Sequence, residues 1–300
     1  MHHVRLRVAL AVATIAALAL AATAVAVQTP FDDIDLDADG GDATFEYGLD
    51  YGCTDGTSGS SGDSVYSVED GSTPAGSDAF DGALVLHVGD SPFTVPTEEA
   101  DQTGEQIRSD TLKLAGLKVQ RTGTALPGSP TLRELIKFKN PKKKTVKTRV
   151  ALDTEYGSDS DIGVRATSSG DRNFNRKDRW GITSDDPTDP PSDPAVTLVN
   201  YGKGKVLKPD QQIGPFSEND DASVDGADCT LDTFQLKLRK KQTGYLMFFL
   251  EIADTNAEAI SNVSKFNAKK LNGDLKDGLS KGVQKKILNF DLAKKKGKRK

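Results

Sequence analysis

The stretch from Leu132 to Leu152 constrains the fold most, because apolar and basic residues alternate along it. Side chains alternate between the two faces of a strand, so this period predicts strands with one apolar face and one basic face. Asn140-Pro141, followed by three lysines, is typical of a turn, since proline restricts its own φ and the residue before it. The pattern predicts a long antiparallel hairpin with one face in a core.

A second stretch repeats this design between Phe234 and Ile252. Apolar and basic residues alternate up to Arg239, and Lys240 to Gly244 supplies the turn. The following segment, Tyr245–Ile252, is almost wholly apolar, which predicts a strand that is covered on both faces. We therefore expect a second hairpin of the same design.

Turn signals separate many short strand-like segments, at intervals of roughly 8 to 14 residues. Segments with a helical period occur only near the C-terminus, where Thr255 to Glu258 has the form of a capping box. The predicted fold class is mainly β: an antiparallel β-sandwich with a short helical segment near the C-terminus. Phe138, Val150 and Phe248 are expected in its core.

Three further segments complete the secondary-structure prediction. Residues 31–42, rich in aspartate, are interpreted as an acidic loop, and residues 98–105 as a helix or loop. Leu288, Phe290 and Leu292 alternate, which predicts a closing strand.

The N-terminus has the form of an export signal. Arg5 and Arg7 precede an apolar run, Val8–Val27, and a small-residue cleavage pattern ends at Ala26. We therefore predict a signal peptide at 1–26, a single β-sandwich domain at 27–293 and a basic C-terminal tail at 294–300, in a secreted or cell-envelope protein. The run is also long enough to span a bilayer, so an uncleaved anchor stays open.

Cys53 and Cys229 are the two cysteines of the chain. In an exported protein such a pair predicts one disulfide. It would close a loop of 176 residues, for which the chain-entropy model gives about 5 kcal/mol. Two separate buried thiols are the alternative. The spacing excludes a Cys-x-x-Cys zinc motif.

Charge is divided unevenly along the chain. Residues 28–107 contain 19 acidic residues and no Lys or Arg, whereas residues 108–300 contain 37 basic and 25 acidic residues. Two interpretations are open. The acidic loops could lie across the basic strand faces and neutralise them, or the asymmetry could steer charged partners.

The most specific motif is Asp35-x-Asp37-x-Asp39-Gly40, with Glu46 at the twelfth position. Oxygen ligands at positions 1, 3, 5 and 12 are typical of a calcium loop. The motif departs from the pattern because no helix flanks it. A helix-free calcium site is therefore one hypothesis, and a merely acidic segment is the other.

Signals for an enzyme are few. His87 is the single histidine after the leader, so a multi-histidine zinc site is excluded. No Gly-x-Ser-x-Gly occurs either, and we predict no catalytic residue. A carboxylate pair of the glycosidase type stays open, with Glu134, Glu155 and Glu251 as candidates.

The C-terminal segment Lys294–Lys300 is KKKGKRK. It could bind an anionic cell-envelope polymer or surface by electrostatic attraction. No aromatic residue interleaves it, so specific nucleic-acid recognition is not expected. A solvated tail is the usual alternative.

The segments LAGLKVQRTG, LRELIKFKNPKKKTVKTRVAL, YGSDSDIGVRATSSGD, DRWGITSDD and ILNFDL resemble those of a group of exported bacterial β-sandwich proteins without an assigned function. The resemblance covers about Leu114 to Leu292. It implies export and a sandwich fold, and it implies no reaction.

Together these features predict an exported, non-enzymatic binding or structural module of the cell envelope, with calcium as a candidate stabilising ion. A carboxylate-based enzyme acting on envelope or extracellular polysaccharide is the alternative function.

Overall fold

The computed structural model describes residues 26–38, 40, 42–49, 65–97, 99–158, 162–214, 228–271 and 273–292. Within these residues, eighteen strands follow one another as β1 (Val27–Pro30), β2 (Ile34–Ala38), β3 (Ala43–Leu49), β4 (Tyr66–Ser72), β5 (Gly82–Val88), β6 (Ser91–Pro92), β7 (Glu99–Gln102), β8 (Gln106–Arg108), β9 (Leu112–Leu114), β10 (Leu117–Ala125), β11 (Thr131–Lys139), β12 (Val146–Glu155), β13 (Gly163–Thr167), β14 (Trp180–Ser184), β15 (Ala195–Val199), β16 (Gln211–Ile213), β17 (Cys229–Leu238) and β18 (Thr243–Ala253). The helices are α1 (Asn256–Asn262) and α2 (Lys281–Gln284), with short 3₁₀ segments at Phe31–Asp33, Val263–Asn267 and Asp274–Lys276.

The strands form two antiparallel sheets. The larger sheet has ten strands in the order β1-β7-β8-β10-β11-β18-β15-β14-β13, with β9 beside β10. The smaller sheet has eight strands in the order β16-β17-β12-β5-β4-β3-β2, with β6 beside β5. The predicted β-sandwich is therefore confirmed.

The two predicted hairpins are wrong, although their strands form as expected. β11 and β12 lie in different sheets, and so do β17 and β18. β11 instead pairs with β18 in the larger sheet, and β12 pairs with β17 in the smaller one. We call each of these strand–turn–strand units an arch. A hairpin and an arch both require alternating side chains, so the period cannot distinguish them.

The core between the sheets is built from the inward faces of the two arches. Phe138, Val150 and Phe248 lie in strands and are fully buried, as predicted. The rings of Phe234 and Phe248 meet across the core at 5.7 Å in an edge-to-face arrangement. Such aromatic pairs contribute about 1 kcal/mol beyond the area they bury.

Residues 256–271 and 273–292, which we call the helical layer, cover the outer face of the larger sheet. Phe249 of β18 packs against Phe266 and Phe290 of this layer, at 5.2 and 5.5 Å between ring centres. β18 is therefore covered on both faces, as its apolar sequence predicts. Thr255 caps α1 by accepting a hydrogen bond from the Glu258 N–H at 3.0 Å.

Three segment predictions are wrong. Residues 34–38 form β2 rather than a loop, because Ile34 and Leu36 alternate with aspartates and face the core. Residues 99–102 form β7 rather than a helix or loop. Residues 288–292 form no strand, although Tyr245 makes a single parallel bridge with Ile287. Phe290 and Leu292 pack in the cluster between the helical layer and the larger sheet, whereas Leu288 packs against the core between the sheets.

In the part of the chain that the structure describes, no helix has both the length and the apolar character needed to cross a bilayer.

Candidate functional site: a basic end where two turns meet

The turns of the two arches lie together at one end of the sandwich, and Asn140 joins them. Its side chain is fully buried. The Nδ2 group donates to the carbonyls of Lys144, Leu238 and Arg239 at 2.8, 3.1 and 2.9 Å, and Oδ1 accepts from the Lys142 N–H at 2.9 Å. One side chain thus fixes two turns that are about a hundred residues apart in the chain.

Further hydrogen bonds join the same two turns. The Asn140 N–H donates to the Gln242 carbonyl at 2.9 Å, and the Lys241 N–H donates to the Lys142 carbonyl at 3.3 Å. The Lys241 ammonium donates to the Pro141 carbonyl at 2.6 Å. The turns therefore form one surface with a defined backbone geometry.

Because the turns meet, exposed positive charges from two distant stretches of the chain lie close together. We define the basic end by eight exposed residues: Lys139, Lys142, Lys143, Lys144, Lys237, Arg239, Lys240 and Lys241. The segments 137–149 and 235–245 that carry them contain no acidic residue. Among the described residues, no carboxylate forms an ion pair with any of the eight.

Like-charge pairs lie across neighbouring strands at this end. Lys147 stands opposite Lys237 in the smaller sheet, and Lys118 stands opposite Lys139 in the larger sheet. Like charges directly opposite each other are destabilising. The fold therefore tolerates a repulsion that a bound anion would relieve.

A groove of about 550 Å³ opens on the basic end, lined by Lys237, Arg239, Lys240 and Gln242. The Gln242 Oε1 atom already accepts the Arg239 N–H at 2.9 Å. The side chains of the groove therefore present hydrogen-bond donors and positive charge. An oxyanion satisfies both.

The Lys142 side chain lies over Gly116, in the turn between β9 and β10. A Cβ at Gly116 would meet the end of the Lys142 side chain, and Gly116 has a φ of +80°. Glycine adopts this left-handed backbone conformation without strain. A third turn, from the larger sheet, therefore borders the basic end.

Three of the four predicted calcium ligands, Asp35, Asp37 and Glu46, lie on the hairpin of β2 and β3 rather than in a loop. Asp35 of β2 stands directly opposite Glu46 of β3, and Asp37 stands opposite Thr44, whose hydroxyl donates to Asp37 Oδ1 at 3.0 Å. Asp39 lies outside the described residues. The calcium site stays a prediction.

The surface around Glu46 is acidic. Burial raises the pKa of Glu46, and the nearby carboxylates of Asp70, Asp35 and Glu69 raise it further. Arg108 of the basic remainder forms an ion pair with Asp101 of the acidic segment 28–107, at 2.7 Å. The acidic strands β2, β3 and β4 form the flank of the smaller sheet beyond β5, away from β12 and β17. The basic end is therefore not covered by them.

The three candidate catalytic carboxylates lie in different environments. Glu134 is fully buried between the sheets and pairs with Arg121 at 2.8 Å. Glu155 of β12 stands opposite Cys229, with Asp228 close by. Glu251 faces the helical layer, where it pairs with Lys265 and accepts the Thr131 hydroxyl at 2.8 Å. Glu134 and Glu251 face opposite sides of the larger sheet, so these two form no catalytic pair.

Lys265 makes a group of polar contacts that were not predicted from the sequence. Its ammonium contacts Ser129 Oγ at 2.5 Å and Thr131 Oγ1 at 3.0 Å, besides Glu251. Burial raises the pKa of Glu251, and the neighbouring Lys265 lowers it. A groove of about 290 Å³ beside Lys265 is lined by Ser129, Glu258 and Asn262 among others. These contacts cross-link the helical layer to the larger sheet.

His87 is a strand residue of β5, as predicted. Its Nε2 atom lies 4.0 Å from Asp153 Oδ2, and burial raises the pKa of Asp153 to about 7.

The remaining predicted sites cannot be placed within the described residues. Cys53 lies outside them, so the disulfide to Cys229 stays a prediction. Lys294–Lys300 lies outside them as well.

The sequence carried part of the signal for the basic end. The lysines after Asn140 and those after Leu238 are visible as two turns. Nothing local shows that the turns meet, because the contact depends on which strands pair across the sandwich.

No protein-family model matches the chain, and a search of curated proteins finds no match either. Among solved structures, it resembles a polysaccharide lyase at 10% identity and a TM-score of 0.41, covering 70% of this chain and 33% of that one. A protein from Synechocystis sp. PCC 6803 aligns at 8% identity and a TM-score of 0.42, covering 74% and 95% of the two chains. A galactose mutarotase-like protein from Lactobacillus casei aligns at 9% identity and a TM-score of 0.37, covering 62% and 94%.

The chain thus spans about a third of the lyase it resembles. At these identities and TM-scores, none of the similarities bears on what this chain does.

Proposed function

We propose that the protein is an exported, non-enzymatic β-sandwich that binds a polyanion of the cell envelope or its surroundings through the basic end. The observation that carries this proposal is the meeting of two acid-free turns, whose eight exposed basic residues form no ion pair within the described part of the chain. Polymers with repeated negative charges bind such surfaces with strong salt dependence, because binding releases their counterions.

Stability considerations support the same function. The like-charge pairs Lys147–Lys237 and Lys118–Lys139 each work against folding by a few tenths of a kcal/mol to about 1 kcal/mol. Residues that lower stability without a packing reason are typical of functional surfaces.

The test uses charge reversal in the groove. The double variant Lys237→Glu, Lys240→Glu is compared with Lys269→Glu, Lys270→Glu, which changes the net charge equally on two exposed lysines of the helical layer. Binding of labelled dextran sulfate is measured as a function of salt concentration. We expect the groove variant to bind at least about tenfold more weakly and with a shallower salt slope.

The control variant should change affinity by less than about twofold. Thermal unfolding tests whether binding is lost merely because the variant unfolds. Lys237→Glu places an acid opposite Lys147, so it should raise Tm while binding is lost. Equal weakening by both double variants would show that net charge alone attracts the polymer, and would overturn the proposal.

A further inference from the structure

The hydrogen-bonding groups of the basic end are strongly unbalanced between donors and acceptors. The backbone carbonyls of Pro141, Lys142, Lys144, Leu238, Arg239 and Gln242 each already accept a hydrogen bond within the two turns. The side-chain acceptors Asn140 Oδ1 and Gln242 Oε1 are occupied too. The acceptors of this surface are largely satisfied by the protein itself.

The donors, in contrast, are free. Within the described residues, the ammonium groups of Lys142, Lys143, Lys144, Lys237 and Lys240 and the Arg239 guanidinium have no hydrogen-bond partner. Lysine and arginine side chains can donate but cannot accept. A ligand in this groove must therefore supply acceptors, and its own donors find few partners.

This chemistry discriminates between classes of polyanion. An acidic polysaccharide carries hydroxyl groups beside each carboxylate, and the hydroxyl protons that face the groove exchange water for a surface with few acceptors. A donor that is left without a partner on binding weakens the affinity by about tenfold. A phosphodiester chain presents mainly acceptor oxygens along its length, and none of the four residues that line the groove is aromatic, so no base stacking is implied.

We propose that the polyanion held at the basic end is a phosphodiester polymer, bound through its phosphate oxygens, and not a carboxylated polysaccharide. This inference rests on the proposed function and narrows it. Arg239 contacts one phosphate through its planar fork, and the lysines of both turns contact the phosphates on either side.

The experiment compares two probes of equal unit number on the full protein at fixed ionic strength. One is an oligomer of 1,2-dideoxyribose phosphodiesters, which lacks both bases and internal hydroxyls. The other is oligogalacturonate, whose charges are closer together and whose units each carry two hydroxyls. Coulomb attraction alone favours the galacturonate, whereas donor–acceptor matching favours the phosphodiester. We expect the phosphodiester to bind at least about tenfold tighter.

The outcomes separate the two proposals. Equal or tighter binding of oligogalacturonate, still weakened by Lys237→Glu, Lys240→Glu, would overturn the phosphodiester inference and leave the polyanion function in place. Absence of binding by either probe, or binding that the groove variant does not weaken, would overturn both. Phosphodiester binding that the groove variant weakens and the Lys269→Glu, Lys270→Glu control preserves would support both.

Discussion

Asn140 is the residue on which the shape of the basic end depends, because its buried amide bonds to carbonyls of both turns. Asn140→Ala should lower the free energy of unfolding by about 2 to 3 kcal/mol, since it leaves buried carbonyls without their donor. Asn140→Asp should be worse, because it places a carboxylate against three carbonyl oxygens. Denaturant unfolding measures both, with the exposed Thr145→Ala in the same turn as the control. A loss below about 0.5 kcal/mol in Asn140→Ala would contradict this role.

Asp153 should make stability depend on pH. Burial raises its folded pKa to about 7, against about 3.9 in unfolded chains. Protonated Asp153 thus favours folding below about pH 4, and this contribution is lost as the pH rises through about 7. Asp153→Asn should be more stable than the wild type above that pH, by up to about 4 kcal/mol. Unfolding measured across pH tests this, and the exposed Asp90→Asn is the control. An unchanged pH profile in Asp153→Asn would refute it.

Residue-level reasoning from sequence succeeded where a local pattern was sufficient. Thr255 caps α1 as its position before Glu258 predicts, because a capping box involves only neighbouring residues. The roles of Asn140 and Lys265 were missed. Each depends on partners about a hundred residues away in the chain, or more, and an Asn before Pro or a Lys on a short helical segment is common without such a role.

At the scale of elements, the helical layer is attached to the larger sheet through Lys265. Lys265→Met should cost about 3 to 5 kcal/mol, because Glu251 would stay buried without its counter-charge. Replacing both, in Lys265→Met with Glu251→Leu, should restore part of this loss. Trp180, the one tryptophan of the chain, donates to Asn267 of the layer at 3.2 Å.

Trp180 fluorescence therefore reports on the layer, and far-ultraviolet circular dichroism reports on the sheets. We expect the fluorescence transition of Lys265→Met to precede the loss of β signal, and Lys269→Met to leave both transitions unchanged. Coincident transitions at the wild-type midpoint would contradict the cross-linking role.

The arches show why the positions of these strands could be predicted from the sequence while the partners of the strands could not. Alternation gave the strands β11, β12, β17 and β18 and their buried faces. A hairpin would place both apolar faces on one side of one sheet. The arches instead turn them towards each other, as Phe234 and Phe248 show. Burial on two facing sheets removes more apolar surface from water than a single sheet face can.

At the scale of the whole molecule, charge is separated into an acidic flank and a basic end. Repulsion within each region is screened by salt. We therefore expect Tm to rise by about 2 °C or more between low and moderate sodium chloride concentrations. Lys237→Glu should reduce this salt response, and Lys269→Glu should not. A Tm that falls as salt is added would show that attractive ion pairs dominate instead.

The sequence by itself determined the class of fold, the faces of most strands and the helical end, because each follows from the spacing of side chains along a short length of chain. The sequence also shows that acidic residues dominate one stretch of the chain and basic residues dominate another. Only the tertiary structure decided that two lysine-rich turns meet around Asn140. That contact is set by which apolar faces pack across the core, and a strand's own sequence does not specify the partner that covers it.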